Sequence, residues 1–324
     1  MTPACPAVRL RPQGYEVRKP RAGASPWFTR SVIAEPVLVS CLRRYWGLAG
    51  AQVSVHNGGM GSQTWFVDLG DCRWVAKAVQ TDDARQFDGG LALARRLEQA
   101  GIPAGAPVPA RGGRFVVRAG DAWVALLTWV PGRALTGQDD TEQDLIGAVL
   151  ATVHRVLAGH EVTGAERFHW VDPDADYLRL RPWLRPAITA ALEVLDAARP
   201  DTMTWGLLHA DPAPEAFRLD RATGRCGVID WSYALYGPLL YDLASAVMYV
   251  GGPDHAQALI RAYLAEGVLG AAEVEHGLAP MLRFRWAVQA NYFAWRIAGN
   301  NLTGISGPQE NEKGLEDARL FLTS

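Results

Sequence analysis

The 324-residue chain reads as an α+β protein in two parts, a small N-terminal antiparallel-sheet lobe followed by a larger, mainly helical C-terminal lobe. Three observations predict this. Between residues 51 and 79, three runs of alternating apolar and polar residues follow one another across glycine-bearing turns, the pattern of a β-meander. After Pro131-Gly132 the alternation gives way to apolar residues recurring at i, i+3, i+4 and i+7. With 49% hydrophobic residues, 12 of all residues being tryptophan, there is enough apolar surface for a buried core.

Element by element, residues 1–25 are rich in Pro, Arg and Gly without a period and read as a leader arm. Ser31–Gly47 carries Val32, Val37, Leu38, Leu42 and Tyr45 at helical spacing, with Pro36 disturbing its first turn. Strands follow at Val53–Val55, Thr64–Leu69 and Trp74–Val79, the last two joined by the Gly70-Asp71 turn. A helix is expected over Asp83–Gln99, stopped by Gly101 and Pro103, and two more strands in GGRFVVRAGDAWVALLTWV. Helical periodicity then marks Leu145–Leu157, Tyr177–Leu195, Ala256–Leu264 and Leu282–Ile297. Short β-like runs at Gly206–His209 and Gly227–Trp231 interrupt them beside charged residues. The division falls after residue 130, giving 1–130 as the first lobe and 131–324 as the second.

A formal net charge of −2 with no basic tract argues against general nucleic-acid binding, and no apolar run reaches membrane-spanning length. No secretory h-region opens the chain, so a cytoplasmic protein is expected, with no membrane partner. Cys5, Cys41, Cys72 and Cys226 are scattered without metal spacing and read as small buried apolar residues. The basic residues are lopsided: Lys19, Lys77 and Lys313 are the only lysines among 32 Lys and Arg. Lys77 alone lies in a core-strand sequence, RWVAKAV, where a compact ammonium suits a phosphate oxygen; the plain alternative is an edge-strand lysine.

Four features occur in order. The turn NGGMGSQTW, with Gly59, Gly61 and Ser62, can close backbone N–H groups over phosphates, though many such turns are only hairpins. Lys77 follows on the next strand. LLHADPAPEAF then holds His209, Asp211 and Glu215, and GVIDW holds Asp230 after an apolar strand. Phosphoryl transfer needs cations on the phosphates, carboxylates for the metal and a carboxylate to take the acceptor proton. Singly, Asp211 could be a helix cap and Asp230 a turn residue; together, in this order, they point to a kinase.

Lys77, HADPAPEAF, VIDW and GPLLYDLASA resemble the aminoglycoside phosphotransferase family, a branch of the bilobal protein-kinase-like fold, over about residues 50–300. The resemblance implies ATP or GTP as donor and Mg²⁺ as cofactor. It implies Asp211 as catalytic base, Asp230 as metal ligand and Lys77 on the α/β phosphates. It further implies Thr128, Trp129 and Val130 as the base-binding hinge, and Asp242 as a structural carboxylate under the catalytic loop. Where the family pattern H-G-D-x-x-x-x-N has Asn, this chain has Ala216, so Glu215 is the replacement metal ligand to be tested; its alternative is a solvated helix-start carboxylate. Asp88 is the expected partner of Lys77, Glu98 is expected in solvent, and His209 is expected to hold the loop rather than act as base. Trp231, Arg179, Arg285, Tyr292 and Trp295 are the candidate acceptor contacts. Their Arg and Trp content suits a neutral or anionic acceptor, such as a nucleoside or uronic-acid antibiotic, better than a polycation. The leading expectation is therefore a kinase inactivating a sugar-containing antibiotic through a small-molecule hydroxyl. A metabolic sugar or alcohol kinase and a nucleotide-binding pseudokinase are the competing readings, the second prompted by Ala216.

Overall fold

Pro36 falls where a helix tolerates it, at the second residue of α1 (Glu35–Trp46), whose first-turn N–H groups have no intrahelical partner in any case. The structure is a computed structural model that describes residues 33–56, 62–80, 83–163, 165–168, 170–231 and 235–324. The expected leader arm therefore lies outside the described residues. The meander follows as β1 (Gln52–His56), β2 (Gln63–Leu69) and β3 (Cys72–Gln80), then α2 (Ala84–Gln99), β4 (Val117–Ala119) and β5 (Ala122–Thr128). Among the described residues these strands pair antiparallel in the order β1-β2-β3-β5-β4.

The register sorts the side chains onto two faces. Trp65, Val67, Ala76, Ala78, Val124 and Leu126 meet Leu38, Cys41 and Leu42 of α1 in one buried cluster. Opposite pairings Thr64↔Lys77, Phe66↔Val75 and Val75↔Leu127 put Lys77 on the other face, the one whose Val79, Ala125 and Leu127 cover Phe87 and Leu91 of α2. One turn further along α2, Leu93, Ala94 and Leu97 instead join the core of the second part, so this helix couples the two cores.

The chain continues as β6 (Arg133–Ala134), α3 (Asp140–Leu157), β7 (Glu166–Arg167), α4 (Leu184–Ala197), β8 (Trp205–Leu208), β9 (Phe217–Asp220), β10 (Arg225–Val228) and β11 (Leu235–Pro238). The helices α5 (Leu240–Tyr249), α6 (Gln257–Ala265), α7 (Ala271–Ala298) and α8 (Pro308–Leu322) complete it. Two small sheets, β10-β9-β6 and β7-β11-β8, carry the loops that follow β8 and β10. The overall architecture is the expected small antiparallel-sheet lobe joined to a larger, mainly helical lobe.

Several element boundaries differ from expectation, each for a local reason. The helix read over Tyr177–Leu195 is split: a 3₁₀ turn at Asp176–Leu180 precedes α4, because Pro182 holds Arg181 extended. The helix read from Leu282 begins at Ala271 and runs through Pro280, a residue that reads as a stop. Every residue from Leu240 to Met248 is buried, so α5 shows no amphipathic period to detect. Cys41 is buried as expected, whereas Cys72, beside the tight β2–β3 turn, is exposed. No helix among the described residues is long and apolar enough to cross a membrane.

Two close contacts set the helical part in place. Gly147 lets α3 approach α6 so nearly that a Cβ there would collide with the Leu259 carbonyl oxygen and lie 3.0 Å from the Tyr263 nitrogen. At the start of α3, Asp139 caps the Glu142 N–H at 2.9 Å. The Glu142 carboxylate accepts from the Thr136 N–H at 2.6 Å, the Thr136 hydroxyl at 2.8 Å, the Gly137 N–H at 2.9 Å and Arg133. Its burial raises the carboxyl pKa, but these donors prevail and hold it at about 2.

Gly147→Ala should therefore destabilise the fold by about 1–3 kcal/mol, the usual cost of overpacking a close crossing, measured as a lower thermal midpoint. Glu142 contributes stability fully above its ordinary carboxylate range, and that contribution fades as pH falls from about 4.5 through about 2. In denaturant titrations, Glu142→Gln should be less stable than the parent near pH 7, with the gap closing as the pH approaches 2.

Candidate active site

The loop after β8 is held from below by one buried carboxylate. Asp242, in the first turn of α5, accepts the His209 N–H at 2.6 Å and the Ala210 N–H at 2.8 Å. Its Oδ2 also faces His154 Nε2 at 3.0 Å, and His154 Nδ1 lies 2.7 Å from the Tyr263 hydroxyl. Asp242 can only accept, which assigns the ring proton of His154 to Nε2 and makes Nδ1 the acceptor of Tyr263 O–H. Burial, followed by the charge of Asp242, raises the Tyr263 phenol and keeps that donor protonated.

This support fixes an unusual backbone. Ala210 has φ +77° and Asp230 φ +76°, the left-handed region that side chains disfavour. Such a conformation costs on the order of 1–2 kcal/mol for a residue with a Cβ and persists where its surroundings enforce it. At Ala210 the enforcing contact is the N–H bond to Asp242; it turns the next residue, Asp211, outward.

His209 ties this loop to the one after β10. Its Nε2 donates to the Ile229 carbonyl at 2.9 Å, and its ring meets Trp231 edge-on at 4.6 Å between centroids. The Ile229 N–H in turn donates to the Ala216 carbonyl at 2.9 Å. Among the described residues the His209 ring bonds to Ile229 and not to Asp211. Trp231, expected at the acceptor, is buried, and its indole N–H donates to the Val228 carbonyl at 2.7 Å; it supports the loop instead.

On these two loops stand the chemical groups. The Asp211 carboxylate is 65% exposed, and its Oδ1 accepts from the Tyr249 hydroxyl and from Arg285 Nη2 at 3.0 Å. Lys77 reaches across from β3 to pair with Asp230; its side chain is 10% exposed while the carboxylate is 56% exposed. Lys77 and Asp230 thus meet across the two lobes although they are 153 residues apart. Glu215 is exposed in a 3₁₀ turn at Pro214–Ala216.

Other expected residues are placed differently. Asp88 is exposed on α2 and forms no ion pair among the described residues, so Asp230, not Asp88, neutralises Lys77. Glu98, expected in solvent, accepts from the Ala104 N–H at 3.2 Å, the Ala106 N–H at 3.4 Å and the Thr128 hydroxyl at 3.3 Å. It thereby braces the end of β5. There Trp129 meets Phe66 edge-on at 5.6 Å, with the Arg73 guanidinium 5.4 Å from the Trp129 centroid, and Val130 is buried. Ser62 is buried with its hydroxyl 3.3 Å from Thr64 Oγ1, while Gly59 and Gly61 lie outside the described residues.

Arg179 is exposed and pairs with Asp176 at 3.4 Å. Arg285, expected to face the acceptor, is spent on Asp211 instead. The Tyr292 hydroxyl accepts from Arg296 Nη1 at 3.1 Å, and burial raises its phenol against the pull of that guanidinium; Trp295 is half-buried on the same helix. Tyr249, His154 and Tyr263 were not singled out by the sequence. A histidine inside the apolar period of α3 was the one available signal for His154; Tyr249 and Tyr263 carried none.

A cavity of about 410 Å³ lies against Gly132, Arg133 and Leu219–Ala222, and another of about 250 Å³ touches Thr128–Pro131 and Gly227. Both flank the connection between the lobes, and neither is lined by Asp211, Asp230 or Lys77. The chemistry is instead on an open cleft. Among the described residues no three His, Cys, Asp or Glu side chains gather as a metal-holding group. Two exposed carboxylates, Asp230 and Glu215, on hydrogen-bonded loops fit Mg²⁺, which takes one or two carboxylates and completes its shell with phosphates and water.

Residues 52–276 match the phosphotransferase enzyme family. A homoserine kinase of Azorhizobium caulinodans is 29% identical over 216 residues, 61% of this chain and 65% of that protein. The chain therefore spans just under two thirds of the length of that curated relative. Among solved structures, an amicoumacin kinase in complex with AMP-PNP, Ca²⁺ and Ami superposes with a TM-score of 0.71 at 15% identity, covering 90% of this chain and 93% of that one. A microcompartment-associated aminopropanol kinase gives 0.70 at 18% identity, covering 88% and 94%. These superpositions show the bilobal kinase-like fold. With two thirds of its length inside the family match, the chain belongs to the phosphotransferase enzyme family.

Proposed function

We propose that this protein is a small-molecule O-phosphotransferase that moves the γ-phosphate of ATP or GTP to an acceptor hydroxyl. The observation that carries the reading is the pairing, across the cleft, of the core lysine with Asp230, on a loop hydrogen-bonded to the one that presents Asp211 to solvent. Asp211 takes the proton of the attacking hydroxyl. Lys77 exchanges Asp230 for phosphate oxygens, an exchange of one oxyanion for another that keeps the ammonium paired. Asp230, with Glu215 in place of the missing Asn side chain, would hold Mg²⁺, which neutralises β/γ-phosphate charge when bound. Phe66, Val75 and Leu127 share the Lys77 face and form an apolar ceiling for the base, with Thr128–Val130 as its edge. In this reading the lobes divide at residues 130/131, and the site of action is the cytoplasm, where nucleoside triphosphates are abundant.

The acceptor we favour is a neutral or anionic sugar-containing antibiotic rather than a polycationic aminoglycoside, because the segments expected to face the acceptor are rich in Arg and Trp. A second reading, a metabolic alcohol kinase, is favoured by the homoserine kinases among its relatives.

Incubation with ATP or GTP and a panel of nucleoside and uronic-acid antibiotics, aminoglycosides, homoserine and aminopropanol, followed by mass spectrometry, decides between them. One added phosphate is expected on a member of the first group. Tight turnover of kanamycin-like amines would overturn the acceptor class. Asp211→Asn should lower kcat by about 10²–10⁴-fold, the range for a positioned general base, while nucleotide binding persists; unchanged kcat would remove Asp211 from the mechanism. Glu215→Gln should weaken the Mg²⁺ dependence of turnover, and an unaltered Mg²⁺ titration would return Glu215 to the role of a solvated surface carboxylate.

A further inference from the structure

Asp211 is approached by two donors that the catalytic loop does not supply. The loop from His209 to Phe217 contains no Lys or Arg, and the cation on Asp211 comes from the middle of α7, 74 residues later. Arg285 is almost enclosed, 8% of its side chain being exposed, and each contact has a defined direction. Its Nε donates to Ser245 Oγ at 3.1 Å, and Ser245 donates onward to the Tyr241 carbonyl at 2.8 Å. Its Nη2 donates to Asp211 Oδ1 and to the Tyr249 hydroxyl, both at 3.0 Å, and Tyr249 O–H donates to the same Oδ1. One placement of hydrogens satisfies the whole chain, so α5 and α7 present a preformed fork. Tyr249 is partly exposed, and desolvation, followed by the charge of Asp211, pushes its phenol well above the usual range and keeps it a donor.

Both donors converge on Oδ1, and Oδ2 has no hydrogen-bond partner among the described residues while the carboxylate remains largely exposed. We infer that Arg285 and Tyr249 are positioning residues that clamp Oδ1 of Asp211 and leave Oδ2 as the atom that receives the acceptor proton. This rests on Asp211 being the proton acceptor of the proposed reaction. Clamping fixes the carboxylate plane, and with it the direction from which a hydroxyl can approach; two hydrogen bonds on one oxygen also draw negative charge toward it, so the remaining oxygen is defined by geometry rather than by rotation. Lysine could not replace Arg285, because a single ammonium cannot reach Ser245 and Asp211 with the two separated edges of a planar fork.

The test uses the full chain carrying Arg285→Lys, Arg285→Ala or Tyr249→Phe, with the best acceptor from the panel and, in parallel, slow transfer to water. Arg285→Ala should lower kcat by about 100-fold, the scale of an ångström-sized misplacement of a reacting group, with the nucleotide KM unchanged. Added guanidinium should restore part of that rate, and Arg285→Lys should not. Tyr249→Phe, which keeps the fold's contacts, should lower kcat without moving either KM. Crystal structures of these variants should show the Asp211 carboxylate rotated or divided between rotamers, a readout that needs no turnover. A fixed, unrotated Asp211 in the Tyr249→Phe and Arg285→Lys structures, or folded variants with parental kcat, would overturn the assignment. A rise in acceptor KM alone would also overturn it, making Arg285 an acceptor-binding group. If Asp211 rotates but neither parent nor variant phosphorylates anything, water included, the clamp stands and the proposed reaction fails.

Discussion

Everything at the cleft depends on one desolvated carboxylate, Asp242. It collects two consecutive backbone N–H groups from the loop after β8 and an imidazole from α3, so each of its oxygens is occupied without any exposed counter-charge. A buried anion satisfied in this way holds its neighbours stiffly, because any movement leaves lone pairs or N–H groups unpaired in a medium that cannot solvate them. Removing one partner of such a group typically costs about 3–5 kcal/mol. The left-handed Ala210, the outward aim of Asp211 and the bond from His209 to Ile229 all follow from that anchor. The anchor depends in turn on the close crossing of α3 and α6, since His154 and Tyr263 arrive on those two helices.

The same device recurs where the lobes join. Glu98 gathers two backbone N–H groups and a hydroxyl at the end of β5, and Glu142 gathers two N–H groups, a hydroxyl and a guanidinium at the start of α3. Irregular segments have no helix or ladder to satisfy their N–H groups, and a carboxylate with four lone-pair directions can serve several at once. The connection between the lobes and the loop after β8 are thus rigid without regular secondary structure. Rigidity of this kind is what phosphoryl transfer requires, since its catalysis comes from positioning and fixed charge.

Charge at the cleft is arranged in two pairs. Lys77 with Asp230, and Arg285 with Asp211, each match an enclosed cation to an exposed carboxylate. The cations are fixed by burial while the carboxylates face incoming ligands, so a phosphate can replace a carboxylate on Lys77 without leaving a buried charge bare. The enclosed side chain in each pair also explains why one is Lys and the other Arg. A point charge suits changing partners, and a planar fork suits a permanent three-way contact.

The amino-acid order by itself determined the strands on either side of Gly70, the start of α2 near Asp83, the helical second part, and the short motifs that carry Lys77, Asp211 and Asp230, because local alternation, turn chemistry and short charged motifs are all properties of neighbours in the chain. It could not display α5, whose all-round burial leaves no period, nor the passage of α7 through Pro280. Only the tertiary structure decided which groups meet. Lys77 finds Asp230 rather than Asp88, Arg285 finds Asp211 rather than an acceptor, Trp231 turns inward, and Glu98 is drawn out of solvent to brace Thr128. These partners are separated by 30 to 153 residues or compete with equally plausible ones, and the choice among them is made by how helices and sheet pack, which no stretch of neighbouring residues records.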